Sequence, residues 1–411
     1  MSDFPLRTLG ELADINPKTT LAKDTKYPFV AMEDLTPGQR YTRSKQLRQA
    51  AGGARFQGGD TLFARITPCL ENGKIAQYDP DAQLGFGSTE FIVLRAKAGV
   101  ADPAYVYYLA MTDIVKAPAI GSMSGASGRQ RADAKTIFQT LVPAPDLPTQ
   151  RQIASILGAY DDLIDVNRRR VAVLEEMAQG LFEEWFIRFR SPGPEETPIL
   201  DAPDGSLPES WMWGVAADLI AFDPKTAVPR DGLKPFISMG HLDTATSLIA
   251  PPEQRAGNSG TKFRNGDTLF ARITPCLENG KTGLVRGLPG QGGIGFGSTE
   301  FIVMRGEAAG PAFTYCLARH SSFRANARNS MSGATGRQRA RTASLASFAM
   351  PVPPLDLLRR FDEAVWPMLE LVGNLGTANE TLASARDLLL PRLISGQLSV
   401  AEAERELEQA A

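Results

Sequence analysis

Residues 59–74 read GDTLFARITPCLENGK, and residues 266–281 repeat this block without a single change. Two further segments follow each copy in the same order: GFGSTEFIVLR at 85–95 matches GFGSTEFIVMR at 295–305, and SMSGASGRQRA at 122–132 matches SMSGATGRQRA at 330–340. The three offsets are 207, 210 and 208 residues, so the duplication runs nearly in register. A period this long describes one whole domain used twice, not a solenoid repeat. The sequence therefore predicts two similar domains that face a target with two similar parts.

The composition is that of a globular protein with a mildly basic bias in the duplicated regions. The 411 residues carry a formal net charge of −2 and 43% hydrophobic side chains, which is ample for several buried cores. Residues 1–148 hold 17 basic and 15 acidic groups, whereas residues 355–411 hold 5 and 10. Gln39–Arg55 has five basic residues and no acid. This local excess fits contact with DNA, and a solvated surface loop explains it equally well.

Each copy of the repeat has the pattern of a mixed α/β domain. Short runs such as Thr61–Ile66, between glycines and prolines, are typical of strands joined by turns. A proline-rich exit follows each copy, VPAPDLP at 142–148 and MPVPPL at 350–355. The predicted fold class is α+β, with a first mixed domain at 1–148, a central helix at 149–190, a second mixed domain at 191–354 and a C-terminal helix at 355–411.

Heptad spacing indicates that both helical segments form long coiled-coil helices. In the first, one row at intervals of seven is Leu157, Ile164, Val171, Ala178 and Trp185. In the second, Arg386 interrupts the corresponding row, Pro367 predicts a kink or break near the start, and Gly373 and Gly376 weaken the helix further. We expect the two helices to pair as an antiparallel coiled coil, which would relate the two halves by a pseudo-twofold axis.

Sequence motifs for catalysis and metal binding are missing. There is no methyltransferase tetrapeptide of the NPPY type and no GxxxxGK[ST] phosphate loop. Both histidines, His241 and His320, lie in the second repeat, so a Ser/His/Asp triad cannot occur in each copy. The three cysteines lack metal-ligand spacing. We therefore expect a non-catalytic binding protein with no metal and no cofactor of its own. With no signal peptide and no apolar run near 18 residues, we expect it to be cytoplasmic, without a membrane partner.

The order of these features resembles the specificity subunit of type I restriction-modification systems. The resemblance is carried by GDTLFARITPCLENGK, GSTEFIVLR, the GRQR loop before a proline-rich helix start, and LLLPRLISG at 388–396. It covers essentially the whole chain. It implies two target recognition domains, each reading one half of a bipartite sequence in double-stranded DNA, and two helices that act as a ruler and docking site. Recognition domains within one such subunit usually differ, whereas these two nearly coincide, so we expect a target close to an inverted repeat.

The resemblance also implies partners that carry the chemistry. Two modification subunits would bring S-adenosylmethionine and methylate adenine, and two restriction subunits would use ATP and Mg for translocation and cleavage. Two alternatives stay open. The chain could serve an orphan methylation system that lacks a restriction subunit, or it could be a two-domain coiled-coil scaffold that does not bind DNA.

Candidate DNA contacts lie in the duplicated segments, because readout needs hydrogen-bonding side chains at base edges and cations at phosphates. In the sixteen-residue block the candidates are Arg65, Thr67, Asn72 and Lys74, with Arg272, Thr274, Asn279 and Lys281. The arginines suit guanine or phosphate, and the lysines suit phosphate. For Asn72 the alternative is a tight turn in which asparagine tolerates positive φ.

The other two segments add smaller groups of candidates. Before the strand FIV they are Ser88, Thr89 and Glu90, with Ser298, Thr299 and Glu300. Each glutamate could accept from cytosine, cap a structural turn, or form a salt bridge with Arg65 or Arg272. In the Ser124–Arg131 and Ser332–Arg339 loops they are Ser124, Arg129, Gln130, Arg131, Ser332, Arg337, Gln338 and Arg339. The arginines suit the DNA backbone and the glutamines suit adenine, with a solvated surface turn as the alternative.

One aligned segment differs in charge between the copies. Ala31-Met32-Glu33-Asp34-Leu35 corresponds to Ser238-Met239-Gly240-His241-Leu242. If this segment faces DNA, the two half-sites are similar but not identical.

Overall fold

The computed structural model describes residues 4–44, 46–126, 128–192, 198–200, 206–290, 292–333 and 337–410. The chain folds into two compact units, one made of Met1–Val166 with Asn379–Ala411 and the other of Asn167–Ala378. Each unit therefore contains one copy of the duplicated segments together with part of each long helical region.

The first unit is built on two mixed β-sheets and a two-stranded ribbon. Its described strands are β1 (Leu6–Thr8), β2 (Ala13–Ile15), β3 (Lys26–Val30), β4 (Tyr41–Thr42), β5 (Gln46–Gln49), β6 (Ala54–Gln57), β7 (Thr61–Ala64), β8 (Ile75–Tyr78), β9 (Leu84–Gly87), β10 (Phe91–Ala96) and β11 (Leu141–Pro143). The sheet orders are β2-β10-β7-β8-β4, β5-β3-β9-β6 and β1-β11. Strands β7 and β8 are buried along their whole length, as expected for strands covered on both faces.

The second unit repeats this arrangement. Its described strands are β12 (Ile199–Leu200), β13 (Leu207–Pro208), β14 (Met212–Val215), β15 (Ile220–Phe222), β16 (Lys234–Ile237), β17 (Glu253–Arg255), β18 (Thr261–Arg264), β19 (Thr268–Ala271), β20 (Thr282–Leu284), β21 (Ile294–Gly297), β22 (Phe301–Gly306) and β23 (Ala349–Val352). The orders β15-β22-β19-β20, β17-β16-β21-β18 and β14-β23 match the three sheets of the first unit, apart from β4, and β12 pairs with β13. The duplication in sequence is thus a duplication of topology.

Short helices pack on the sheets, and two long helices follow the two domains. The helices are α1 (Leu9–Leu12), α2 (Pro103–Met111), α3 (Asp113–Gly121), α4 (Ala134–Gln139), α5 (Leu147–Phe182), α6 (Pro311–Arg319), α7 (Ser321–Asn329), α8 (Thr342–Ala346), α9 (Leu355–Ser395) and α10 (Val400–Ala410). A π-helical turn at Glu183–Ile187 extends α5, and three-residue 3₁₀ turns occur at Met32–Asp34, Ala216–Asp218 and Met239–His241.

The predicted apolar seam of α5 is buried. Its row consists of Leu157, Ile164, Val171, Ala178 and Trp185. Within the first unit, Leu157 shares a hydrophobic cluster with Leu393 of α9. Within the second unit, the Trp185 ring lies 5.6 Å from the Phe361 ring at the start of α9. The row has members in both units. Its burial stabilises the 36-residue helix, because a helix in a protein gains most of its stability from packing of its apolar face.

The expected break at Pro367 is wrong, since α9 runs without interruption from Leu355 to Ser395. A proline inside a helix costs about 3 kcal/mol. Burial of Val365 and Leu369 on either side of Pro367, each worth about 1.5–3 kcal/mol, offsets that cost. The apolar face thus overrides local propensity.

The two glycines of α9 mark a place where a loop of the second domain approaches the helix. A Cβ added at Gly376 would lie 2.6 Å from Cδ2 of Leu248, and one added at Gly373 would lie 3.2 Å from the guanidinium carbon of Arg286. Both contacts are possible only because glycine has no side chain. The two glycines therefore make room for Leu248 and Arg286 to pack against the helix.

The interpretation of Arg386 as an interruption of the buried row is also wrong, because its side chain is 4% exposed and belongs to that row. It donates to Asp161 of α5, whose side chain is 3% exposed, and to the Gly38 carbonyl oxygen at 3.2 Å. Asp161 accepts a second hydrogen bond from the Tyr108 hydroxyl at 2.6 Å. A buried charge is tolerated here because it is paired and hydrogen-bonded.

Helices α2 and α6 occupy equivalent places but are capped by carboxylates from different elements. Asp102 precedes α2 and accepts from the amides of Ala104 and Tyr105 at 2.9 and 3.1 Å. At the same position before α6 stands Gly310, and Asp362 of α9 accepts from the first amides of α6 instead. Burial raises the pKa of Asp362 to about 6.

The expected absences concern membrane spans and metal sites. In the part of the chain that the structure describes, no helix combines the length and hydropathy needed to cross a bilayer. Across the same residues, no group of three or more His, Cys, Asp or Glu side chains is arranged to hold a metal ion.

Candidate nucleic-acid interface

The three duplicated segments, far apart in sequence, meet at one place in the first domain. After β7 the Arg65 amide donates to the Glu90 carbonyl at 2.9 Å, and the Arg65 carbonyl accepts from the Ala132 amide at 2.7 Å. Two residues further on, the Thr67 amide donates to the Gln130 carbonyl at 3.0 Å. These backbone bonds join the LFARIT, STE and GRQRA segments into one surface, which we call the junction.

The second domain builds the same junction with closely matching distances. The Arg272 amide donates to the Glu300 carbonyl at 3.0 Å, and the Arg272 carbonyl accepts from the Ala340 amide at 2.8 Å. The Thr274 amide donates to the Gln338 carbonyl at 3.1 Å. The convergence is therefore a built feature of the repeat.

An ion pair crosses each junction. Arg131 donates from Nε and Nη2 to the Glu90 carboxylate at 2.6–3.1 Å, and Arg339 does the same to Glu300. The alternative of a salt bridge from Glu90 to Arg65 named the wrong arginine, because the Ile66–Arg131 bridge brings Arg131 beside the STE turn. The hydrogen bond from Arg131 lowers the pKa of Glu90, which stays ionised near neutral pH. Each pair presents donors and acceptors side by side at a partly exposed surface.

Lys74 and Lys281, predicted as phosphate contacts, both have internal partners. The Lys74 ammonium donates to the Met32 carbonyl at 2.8 Å, and the Lys281 ammonium donates to the Met239 carbonyl at 2.8 Å. Each lysine thus fastens a 3₁₀ turn to the sixteen-residue block. An ammonium group has three donors, so a DNA contact for these lysines stays a prediction.

The remaining candidates of the block, two asparagines and two threonines, differ in exposure. Asn72 and Asn279 are exposed, and the cis peptide bonds Thr67-Pro68 and Thr274-Pro275 precede them. The alternative that placed Asn72 at positive φ is wrong, because Gly73 takes that conformation with φ of 71°. The Thr67 hydroxyl accepts from the Gln130 amide at 3.0 Å, whereas the Thr274 hydroxyl is buried without a partner among the described residues.

The two remaining segments divide into structural and exposed positions. Ser88 and Ser298 cap their turns by accepting from the amides of Glu90 and Glu300 at 3.2 and 3.1 Å. The exposed candidates are Thr89, Thr299, Ser124, Arg129, Ser332 and Arg337. Gln130 and Gln338 are half-buried. Residue 127 and residues 334–336 of the two loops lie outside the described residues. The structure therefore places only the loop candidates on either side of these gaps.

A basic cleft opens beside the junction of the first domain. It has a volume of about 460 Å³ and is lined by Asn16, Pro17, Lys18, Thr19, Gly53, Ala54, Arg55, Arg65, Thr89, Phe91 and Val93. The lining includes three cations and no carboxylate. Lys18 was not among the sequence candidates, and Arg55 was named only as the last residue of the basic segment Gln39–Arg55.

The second domain carries counterparts of the three cations. Asp223-Pro224-Lys225-Thr226 corresponds to Asn16-Pro17-Lys18-Thr19, Lys262 stands at the position of Arg55, and Arg272 at that of Arg65. The acidic Asp223 at the Asn16 position has a structural role, because both side chains accept from a strand amide at 2.9 Å. This shared PKT string was a signal in the sequence that could have revealed Lys18.

The charge difference at 33–34 and 240–241 is smaller at the surface than the sequence indicated. The Asp34 carboxylate accepts from the Ala31 amide at 2.8 Å, and Nδ1 of His241 accepts from the Ser238 amide at 2.9 Å. Both side chains cap the same 3₁₀ turn. What differs in exposed charge is Glu33 against Gly240.

Comparison with known proteins agrees with this surface. Residues 1–176 match the family described as the type I restriction modification DNA specificity domain. The chain therefore contains a DNA-recognition domain of that class. The specificity subunit of the type I restriction enzyme MjaIX from Methanocaldococcus jannaschii is 24% identical over 414 residues, with 97% of this chain and 93% of the relative covered. That of HindI from Haemophilus influenzae is 22% identical over 406 residues, with 83% and 86% covered. Residues 1–176 are thus similar to a DNA specificity domain, and both of these relatives, which match most of the chain, are specificity subunits of type I restriction enzymes.

A solved structure shares the fold. The crystal structure of the type I restriction-modification system S subunit from M. genitalium superposes with a TM-score of 0.55 at 12% identity, covering 96% of each chain. At that identity the likeness concerns the architecture alone.

Proposed function

We propose that this chain reads a bipartite DNA sequence, with one half recognised by each domain. The observation that carries the proposal is the junction, built twice from the same side chains with backbone distances that agree within 0.1 Å. A reading surface repeated this closely should read similar bases. The two half-sites should therefore approximate each other, and Glu33 against Gly240 is one place where they can diverge.

Within the junction we assign different tasks to neighbouring residues. Gln130 and Gln338 carry the amide that pairs with adenine in the major groove, and the exposed Arg129 and Arg337 suit phosphates. The Glu90–Arg131 pair offers acceptors and donors at one edge, which fits a base pair better than a lone charge does.

We further propose that α5 and α9 pair as an antiparallel coiled coil, so that the two reading surfaces are inverted. In support, Asp161 pairs with Arg386 inside the first unit, and Val171 clusters with Val372 inside the second. From residue 161 to residue 171 of α5 the sequence number rises, whereas the number of the contacted residue of α9 falls from 386 to 372, as in an antiparallel pair. An inverted arrangement of like domains predicts a target close to an inverted repeat with a non-specific spacer.

Methyltransferase subunits are the proposed partners of α5. The helix leaves large apolar side chains exposed, Leu163 and Val166 in the first unit and Val173 and Met177 in the second, at 40–52% of their surface. Such side chains on a long helix suit a protein partner. We propose two modification subunits that carry S-adenosylmethionine and methylate adenine, and two restriction subunits that use ATP and Mg.

Methylome sequencing of a strain expressing the complete system tests the proposal. The expected result is one methylated bipartite motif whose halves approximate an inverted repeat. A contiguous motif, or a motif with two unrelated halves, would contradict the proposal that two similar domains each recognise one half-site.

The matched variants Gln130→Ala and Gln338→Ala locate the readers. Each should relax methylation at an adenine of one half-site by about tenfold, since a bidentate pair is worth about 1–3 kcal/mol of discrimination. The two variants should affect the same position in opposite halves. If both affect the same half, or neither changes the motif, the assignment of the glutamines fails.

A further inference from the structure

The basic cleft holds more positive charge than the fold of the first domain uses. Lys18 is exposed and makes no hydrogen bond or ion pair within the described residues, and Arg55 makes one long bond, to the Thr19 carbonyl at 3.5 Å. Nε of Arg65 is buried and donates to no acceptor in the part of the chain that the structure describes. A buried donor without a partner costs about 1–3 kcal/mol, so a site that keeps one is suited to an incoming acceptor.

The second domain preserves the three cations, with one arginine changed to lysine, and places Asp223 at the position of the lining residue Asn16. Lys225 and Lys262 replace Lys18 and Arg55, and Nε of Arg272 is likewise buried without a partner among the described residues. Arginine and lysine are not interchangeable where a planar fork reads guanine, but both satisfy a phosphate. The Arg55-to-Lys262 exchange therefore favours a ligand recognised by charge.

We propose that the cleft of the first domain binds phosphates of the DNA backbone through Lys18, Arg55 and Arg65, and that Lys225, Lys262 and Arg272 bind phosphates in the same way in the second domain. This rests on the proposed function, that the chain binds DNA. The proposal assigns sequence-independent phosphate binding to the cleft and base recognition to the junction.

Arg65 links the anchor to the readers. Its side chain lines the cleft, while its amide and carbonyl hold the Glu90 and Ala132 segments of the junction. A phosphate seated against Arg65 therefore fixes the register in which Glu90 and Gln130 meet the bases.

The test uses the assembled methyltransferase complex and two duplexes of equal length, one with its methylated motif and one with that motif scrambled. Affinities are measured from about 50 to about 200 mM salt. Loss of one phosphate contact lowers the slope of log K against log salt by about 0.9. Lys18→Gln and Arg55→Gln should each show this drop on both duplexes. The affinity deficit of each variant should therefore shrink by about 3.5-fold across this salt range, with the preference for the motif unchanged.

Charge-retaining and charge-matched variants complete the design. Arg55→Lys should keep the wild-type slope, since it keeps the cation. Arg151→Gln removes an equal charge from an exposed position near the start of α5 and should leave the slope unaltered. An unchanged slope for Lys18→Gln, or a lost motif preference for Arg55→Lys, would overturn the phosphate assignment. A wild-type complex that binds both duplexes equally would instead overturn the DNA-reading function itself.

Discussion

Arg386→Met tests whether the buried ion pair between α9 and α5 holds the first unit together. The substitution keeps an unbranched, largely apolar side chain but removes the only guanidinium that is within ion-pairing distance of Asp161 among the described residues. Since the Asp161 side chain is 3% exposed, water cannot take the place of the lost partner. The variant therefore leaves a buried carboxylate with one remaining hydrogen bond, from Tyr108.

The expected loss follows from these contacts. Breaking a buried pair by removing one partner costs about 3–5 kcal/mol. We expect about 3 kcal/mol, the lower end, because Tyr108 still donates to Asp161 at 2.6 Å. The double variant Asp161→Leu, Arg386→Met removes both charges and should recover part of the loss. It should remain about 1–2 kcal/mol below wild type, because the Tyr108 hydroxyl and the Gly38 carbonyl lose their partners.

Hydrogen exchange is the suitable assay. The four tryptophans, Trp185, Trp211, Trp213 and Trp366, all belong to the second unit, so their fluorescence does not report on the first. Native-state exchange of amides in residues 153–165 and 385–394 measures the opening free energy where the pair lies. Arg359→Met is the matched control, since Arg359 pairs with Asp356 on the exposed face of the same helix. If Arg386→Met accelerates exchange no more than Arg359→Met does, the reasoning is refuted.

Two further perturbations test the second unit, using tryptophan-monitored urea unfolding. The pKa of Asp362 is about 6 in the folded state against 3.8 ordinarily, so its protonated form favours folding. The resulting stability is fully present below about pH 4 and is lost as pH rises through 6, a swing of up to about 3 kcal/mol that Asp362→Asn should remove; an unchanged pH profile in that variant would contradict the assignment. Gly180→Ala, with open space around its Cβ, should stabilise α5 by up to about 1 kcal/mol, whereas Gly376→Ala should not, since its Cβ would meet Leu248 at 2.6 Å. Equal gains from both alanines would show that Leu248 moves aside freely.

The sequence was sufficient for the architecture because the features that set it are local or repeated. Heptad rows predicted two long helices, and the duplicated block predicted two like domains. The two wrong predictions about the second long helix have the same cause. Pro367 and Arg386 were judged by local propensity and periodicity, whereas burial of Val365 and pairing with Asp161 decide their environments. Those partners are distant in sequence, or depend on packing that periodicity does not describe.

The candidate site divides in the same way. Arg65, Glu90 and Gln130 were identified because the segments that hold them are duplicated, and the structure brings them together. Lys18 and Arg55 were not assigned to the site because only the folded β-sheet places them beside Arg65. Conversely, Lys74 fitted a phosphate contact in sequence, yet its ammonium is engaged by the Met32 carbonyl, which only the folded chain supplies.

The two domains are alike where they would read DNA and unlike where they meet the helices. At the junction, Arg65, Glu90 and Arg131 have identical counterparts in the second domain. On the helix side, Arg40 in the first domain lies near the Tyr108 hydroxyl at 3.5 Å, beside Asp161.

At the position of Arg40 the second domain has Ser247, whose amide donates to Glu175 of α5 at 2.5 Å and whose hydroxyl accepts from Arg286 at 3.0 Å. An arginine there would have to enter a space that the Arg286 guanidinium already occupies, and a serine in the first domain would remove the guanidinium that lies near the Tyr108 hydroxyl. Each domain is therefore matched to its own stretch of helix.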